Sequence, residues 1–255
     1  MLHSKKSLGQ HFLKDEAVAK QIVSFFQESH PYDTVLEIGA GKGALTKFLV
    51  AENLPDFFVV ELDHRVIPML IERFPFLVNR IFNEDFLSFN LNKLSGEQVS
   101  IIGNFPYNIS SQIVFRILEN LERVPLMVGM FQKEVAKRIV SPAGNKEYGI
   151  LSVLVQTFYC VEYLLDVSKE SFTPSPKVQS GVIRLRRKDE LPYLADVNQY
   201  FRLVKSGFGQ RRKTLRNSLK DWSLPSEIVA DELLSKRAEQ LPVEEWISLS
   251  NQIAA

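Results

Sequence analysis

Val35-Leu36-Glu37-Ile38-Gly39-Ala40-Gly41-Lys42-Gly43 decides the fold: an apolar strand interrupted by one acid runs into glycines spaced two apart, and a helical pattern begins near Ala44. Glycine lets a backbone turn tightly and approach a ligand that a β-carbon would hold off. A loop that cradles a pyrophosphate needs its third glycine at position 44, which is alanine, so the spacing favours a nucleoside without a pyrophosphate.

Working outward, the runs Thr34 to Ile38, Phe57 to Leu62, Asn79 to Phe82, Val99 to Gly103 and Leu126 to Phe131 read as strands. Helical stretches separate them, including Ser110 to Leu121, and this alternation predicts a parallel sheet with crossover helices. Lys133 to Val140 and Gly149 to Phe158 read as further helices, the first stopped by Pro142 and Gly144. Tyr159 to Val167 and Val178 to Arg186 read as two closing strands, the second alternating apolar and basic residues as an antiparallel edge does. A basic, turn-like arm from Ser4 to Leu13 precedes all of these, with Asp15 as the cap of a first helix and a turn at Pro31 after it. Beyond the charge-dense stretch Arg184 to Pro192 the pattern is helical only, which predicts a domain over 1–187 and a small helical one over 188–255.

A chain of 255 residues that is 45% hydrophobic can bury one sizeable core with a small appendage. No apolar run approaches the roughly 20 residues of a membrane-spanning helix, and the first residues lack a signal-peptide core, so a cytoplasmic protein is expected. Cys160, the single cysteine, lies in an apolar stretch and is expected to be a small buried hydrophobe without a role. His3, His11, His30 and His64 show no metal-ligand spacing, and no metal is expected. The net charge of +1 conceals an uneven distribution: Arg202, Lys205, Arg211, Arg212, Lys213, Arg216 and Lys220 follow one another without an acid, whereas 227–245 is predominantly acidic. Cations so crowded repel one another, and a phosphate backbone is their natural counterion.

Chemistry gathers at the carboxyl ends of the strands. Glu61, about 20 residues past the glycine loop, can accept both hydroxyls of a ribose. Asp85 can accept from the amino group of an adenine, with the Phe86 ring beside it. Asn104-Phe105-Pro106-Tyr107 ends the fourth strand. The Asn104 amide oxygen, with the carbonyl of Phe105 or of Pro106, can accept the two hydrogens of an adenine N6, draw that nitrogen toward tetrahedral geometry and aim its lone pair at a methyl donor. Tyr107 would stack on a base swung out of its helix. Such a transfer requires neither a metal nor a strong general base.

Six segments together carry a resemblance: 9–13, 37–41, 60–63, 103–110, 171–178 and 210–217, reading GQHFL, EIGAG, VELD, GNFPYNIS, SFTPSPKV and QRRKTLRN. Their order and content resemble the ribosomal RNA adenine N6-dimethyltransferases that act on the small subunit. The resemblance implies a Rossmann-like class I S-adenosylmethionine-dependent methyltransferase fold, a mostly parallel seven-stranded sheet with an antiparallel final strand, followed by a small all-helical C-terminal domain. It implies S-adenosyl-L-methionine as cofactor, held by His11, Leu13, Gly39, Gly41, Glu61, Asp85 and Asn104 under an arm around Gln10. It further implies two adjacent adenosines in the loop of the 3′-terminal hairpin of 16S rRNA as substrate, within the small ribosomal subunit and late in its biogenesis. Asn104, Pro106 and Tyr107 would hold the target base, with Phe172 on its other face, while Arg211, Arg212, Lys213 and Arg216 bind RNA. A monomer is expected. Phe105 stands where the family more often has leucine or isoleucine, with little effect expected beyond a slightly tighter base pocket, and His11 stands where it more often has asparagine, its ring nitrogens still able to hydrogen-bond. Two rival readings are the erythromycin-resistance type, acting on large-subunit RNA, and an assembly factor that binds immature subunits without catalysis.

Overall fold

The computed structural model describes residues 9–29, 34–52, 54 and 56–254. The expected arm before residue 9, the turn at Pro31, and His3 and His30 lie outside the described residues. The strands are β1 (Phe12–Leu13), β2 (Thr34–Ile38), β3 (Asp56–Val60), β4 (Ile81–Phe82), β5 (Val99–Asn104), β6 (Leu126–Gln132), β7 (Tyr159–Val167), β8 (Phe172–Thr173) and β9 (Ser180–Arg187). The helices are α1 (Glu16–Gln27), α2 (Thr46–Ala51), α3 (Ile67–Arg73), α4 (Ser110–Glu119), α5 (Lys133–Val140), α6 (Ile150–Phe158), α7 (Val197–Gly209), α8 (Leu215–Ser218), α9 (Ser226–Val229) and α10 (Val243–Ala254).

Two compact units emerge. The first comprises Met1–Ala136 and Glu162–Arg187, the second Lys137–Val161 and Lys188–Ala255. In the first, seven strands form one sheet in the order β4-β3-β2-β5-β6-β9-β7. β2 pairs in parallel with β3 and β5, and β5 with β6, while β9 runs antiparallel to β6. β2, at the centre, is buried at all five positions, as expected where helices cover both faces of a parallel sheet. The register aligns Ile38 with Val60 and Glu37 with Ile102, so the loops after β2, β3 and β5 leave the sheet side by side. α1 starts at Asp15, whose carboxylate accepts from the backbone of Ala17 and Val18 at 3.1 and 3.2 Å, and buries Ala19, Ile22, Val23 and Phe26. The N-terminal β1 forms a separate two-stranded ladder with β8, Phe12 opposite Thr173 and Leu13 opposite Phe172.

Residues 137–161, which the sequence reading counted with the first domain, pack instead with the C-terminal residues. The reason is α6: seven of its nine residues are buried, so it needs cover on every side, and α7 and α10 pack against it. Tyr200 meets Thr157 hydroxyl to hydroxyl at 2.7 Å, and the fully buried Trp246 stacks on Phe208 at 5.7 Å. Cys160 is corrected as well. It is exposed, because β7 is the last strand of the sheet order and puts Tyr159 inward and Cys160 outward.

Candidate active site

A cleft, open at its mouth, lies at the carboxyl ends of β2, β3 and β5. Open α/β sheets bind ligands along this edge. All seven residues expected to hold the cofactor line it: His11, Leu13, Gly39, Gly41, Glu61, Asp85 and Asn104. Pro106 and Tyr107 line it too.

The glycine loop turns through positive φ at Gly39, Gly41 and Gly43, at 71°, 53° and 79°. A β-carbon on Gly41 would also lie 3.1 Å from the Phe12 ring of the arm. The Gly41 amide donates to Glu61 Oε2 at 2.9 Å, and the Asp63 amide donates to Oε1 at 2.8 Å. Each oxygen keeps a second lone pair, so the carboxylate is fixed in place with acceptors still available for a pair of hydroxyls. Burial raises the pKa of Glu61 above the usual carboxylate range, against those same amide bonds. Asp85 is held by the Leu87 amide, which donates to its Oδ1 at 2.9 Å.

Glu37 faces the same cleft from β2 and is 1% exposed. Burial pushes it up to about 8, opposed by the Thr46 hydroxyl, which donates to its Oε2 at 2.7 Å. Glu61, Glu84 and Asp85 line the cleft with it; Glu84 is paired with Lys93 at 2.6 Å, and the raised pKa keeps Glu37 mostly protonated at neutral pH.

The arm forms the other wall. Gln10 donates to Asp63 at 3.0 Å, and Asp63, gripped by Arg65 through two bonds of 2.8 and 2.6 Å, is thereby held well below the usual aspartate range. His11 donates from Nδ1 to the Pro174 carbonyl at 2.8 Å. Asn104 donates from its amide nitrogen to the His11 carbonyl at 3.0 Å. A carbonyl only accepts, so the amide nitrogen must face the arm, and Oδ1 is left on the opposite side as an acceptor. The Pro106 carbonyl accepts from the Ile109 amide at 3.2 Å, closing the turn that carries Tyr107.

Comparison with known proteins identifies this arrangement: the sequence matches the ribosomal RNA adenine dimethylase family over residues 1–255. The chain belongs to that family. It is 50% identical over 253 residues to a Flavobacterium johnsoniae protein named ribosomal RNA small subunit methyltransferase A, covering 99% of this chain and 96% of that one. The protein of the same name from Cytophaga hutchinsonii is 46% identical over 251 residues, covering 98% and 97%. The fold matches a solved dimethyladenosine transferase from Plasmodium falciparum, with a TM-score of 0.77, 24% identity and coverage of 94% and 96%. The solved 23S rRNA methyltransferase ErmE aligns with a TM-score of 0.69 and 25% identity, covering 96% and 100%. This dimethylase is thus an S-adenosylmethionine-dependent rRNA adenine methyltransferase.

Not every expected residue of the dimethylase reaches the site. Phe172 is 2% exposed and packed in the core with Leu13 and Phe26, and it does not line the cleft. Leu13 of β1 pairs with Phe172 of β8, and the Phe172 ring is turned inward. The Phe105 ring likewise points into the core, edge-on to Phe131 at 5.0 Å, in space left by Gly103 and Gly129. The ring therefore does not narrow the base pocket as expected.

Among the basic residues of the dimethylase, Arg212 and Lys213 are exposed. Arg211 donates to the carbonyls of Lys146 and Tyr148, and Arg216 to that of Val229 at 2.9 Å, so both also brace their own unit. Glu37 and Asp63 were missed as site residues by the sequence reading. An acid inside an apolar strand, as in Val35-Leu36-Glu37-Ile38, was the signal available for the first.

Proposed function

We propose that the chain transfers methyl groups from S-adenosylmethionine to N6 of two adjacent adenosines in the 3′-terminal hairpin loop of 16S rRNA, giving dimethyladenosine in the small ribosomal subunit late in its assembly. The observation that carries the chemistry is the fixed amide of Asn104, a residue that lines the cleft together with Tyr107. The cofactor supplies an electrophilic methyl group on a sulfonium. Glu61 is placed to accept from the ribose hydroxyls and Asp85 from the adenine amino group.

Oδ1 of Asn104 and the carbonyl of Phe105 would accept the two N6 hydrogens. The Pro106 carbonyl, which closes the turn with one lone pair, keeps a second and is the alternative acceptor to that of Phe105. Removing ring conjugation from N6 aims its lone pair at the methyl carbon, and no side chain has to take the proton before the transfer. Tyr107 supplies the stacking face for the extruded base. Arg212 and Lys213 would contact phosphates from the helical unit, with Arg211 and Arg216 adding to the local positive field. Identity of 46–50% to proteins named for the small subunit, against 25% to ErmE, supports the small-subunit substrate over the large. A cytoplasmic location fits this reading, and a monomer is proposed with it.

The test is to incubate the protein with labelled S-adenosylmethionine and unmodified small subunits, naturally modified small subunits or large subunits, and to identify the labelled nucleosides by mass spectrometry. Dimethyladenosine confined to unmodified small subunits is the expected result. Label in large-subunit RNA would move the chain to the resistance type, and tight binding without label would make it an assembly factor.

A further inference from the structure

Tyr107 reaches out of the cleft wall to a residue that is not part of it. Its hydroxyl lies 2.5 Å from the Oγ of Ser180, 73 residues further along the chain. Ser180 is the first residue of β9, is fully buried, pairs in register with Gln132 of β6, and does not line the cleft. On its other side the Tyr107 ring meets the His11 ring, centroids 5.3 Å apart and planes inclined at 30°.

These contacts solve a mechanical problem. Tyr107 stands on a short turn after β5, and a tyrosine there can swing about two side-chain torsions. A ring that serves as a stacking platform has to hold one plane, since a misplacement of about 1 Å at a reacting centre costs up to a hundredfold in rate. A buried tyrosine hydroxyl also needs a partner. A strand inside a seven-stranded sheet provides both the partner and the rigidity.

Building on the reading of Tyr107 as the support for the target base, the structure assigns Ser180 as a positioning residue for methyl transfer, anchoring the Tyr107 hydroxyl and thereby fixing the plane on which adenine stacks. Burial raises the pKa of Tyr107 above that of an ordinary phenol, so the hydroxyl stays protonated at working pH and its contribution is geometric. Ser180 itself touches neither base nor cofactor.

The experiment is a double-mutant cycle of Ser180→Ala and Tyr107→Phe, read as single-turnover methylation of unmodified small subunits, with KM for the subunit and Kd for S-adenosylmethionine measured beside it. Each single variant should lose about tenfold in rate, with KM and Kd within about twofold, and the double variant should be no slower than either single one, because both remove the same bond. Tyr107→Phe leaves β9 untouched and so reports on the bond even if Ser180→Ala folds poorly. Parental rates in both single variants, or deficits that multiply in the double variant, overturn the assignment of Ser180. Tyr107→Ala separates this from the underlying reading: full activity there would remove Tyr107 from base binding altogether.

Discussion

The side-chain amide of Asn104 donates to the backbone carbonyl of His11 at 3.0 Å, so the arm at the start of the chain determines which way the amide of the fourth parallel strand faces. Asn104→Ala should lose about a hundredfold to a thousandfold in methylation rate at saturating S-adenosylmethionine, the usual cost of removing a preorganised transition-state interaction, with a much smaller loss of cofactor affinity. Isothermal titration and single-turnover assays check the two halves separately. Near-parental turnover would end the mechanism proposed for this side chain.

Glu61 should behave in the opposite way. Glu61→Ala leaves the amides of Gly41 and Asp63 without their acceptor and removes the ribose acceptor. Bonds to a charged group contribute about 1.5–3 kcal/mol each, so cofactor affinity should fall by at least about tenfold, with a smaller effect on rate at saturating cofactor. A titration that finds unchanged affinity would show that the ribose lies elsewhere.

Glu37 predicts a pH dependence of folding stability. Its folded-state pKa is raised to about 8 from an ordinary 4.5, mainly by burial. A raised carboxyl adds stability that is fully present below the ordinary value and is lost as pH climbs through the folded one. Its share of stability should therefore decline between about pH 4.5 and 8, by at most about 1.4 kcal/mol per pH unit. Glu61 is raised as well and adds a decline of the same sign. Urea unfolding of the cofactor-free protein at pH 5.5 and 7.5 should show a shallower decline in Glu37→Gln than in the parent. Equal slopes would place the dependence on other groups.

Packing around Phe105 is tight enough to be tested by one methyl group. A β-carbon on Gly129 would lie 2.2 Å from Phe105 and 2.8 Å from the sulfur of Met127. Gly129→Ala should cost about 1–3 kcal/mol in denaturant unfolding, and Phe105→Leu should relieve part of that cost. Purely additive losses would mean that the two positions do not share the space.

The basic segment divides into two roles. Replacing Arg212 and Lys213 by alanine should weaken small-subunit binding and reduce the slope of log K against log salt by about 0.7–0.9 for each phosphate that is no longer neutralised, while leaving cofactor binding intact. Arg211→Ala should lower the melting temperature as well, because its guanidinium serves the carbonyls of Lys146 and Tyr148. An unchanged salt slope in the first variant would remove both residues from the RNA interface.

Local pattern carried much of this protein into view. β2, α5 and β7 have the bounds read from sequence, since apolar runs and proline or glycine stops are properties of neighbouring residues. The cofactor loop, Glu61 and Asn104 were legible for the same reason, each sitting at or just past the end of a strand. What escaped depends on partners distant in the chain. Phe172 is turned inward by pairing with Leu13, Arg211 is engaged by residues 63 and 65 positions away, and Ser180 matters through Tyr107. Cys160 needed the sheet order, which placed its strand at an edge.

The pairing of β1 with β8 also imposes an order in time. Phe12 and Leu13 are synthesised near the beginning of the chain, yet their strand partners Thr173 and Phe172 emerge after two thirds of it has been made. Translation therefore delivers the glycine loop, Glu61 and Asn104 well before the ladder that seats the arm across them can form. A chain that ends before residue 172 lacks the strand on which this wall of the cleft is seated.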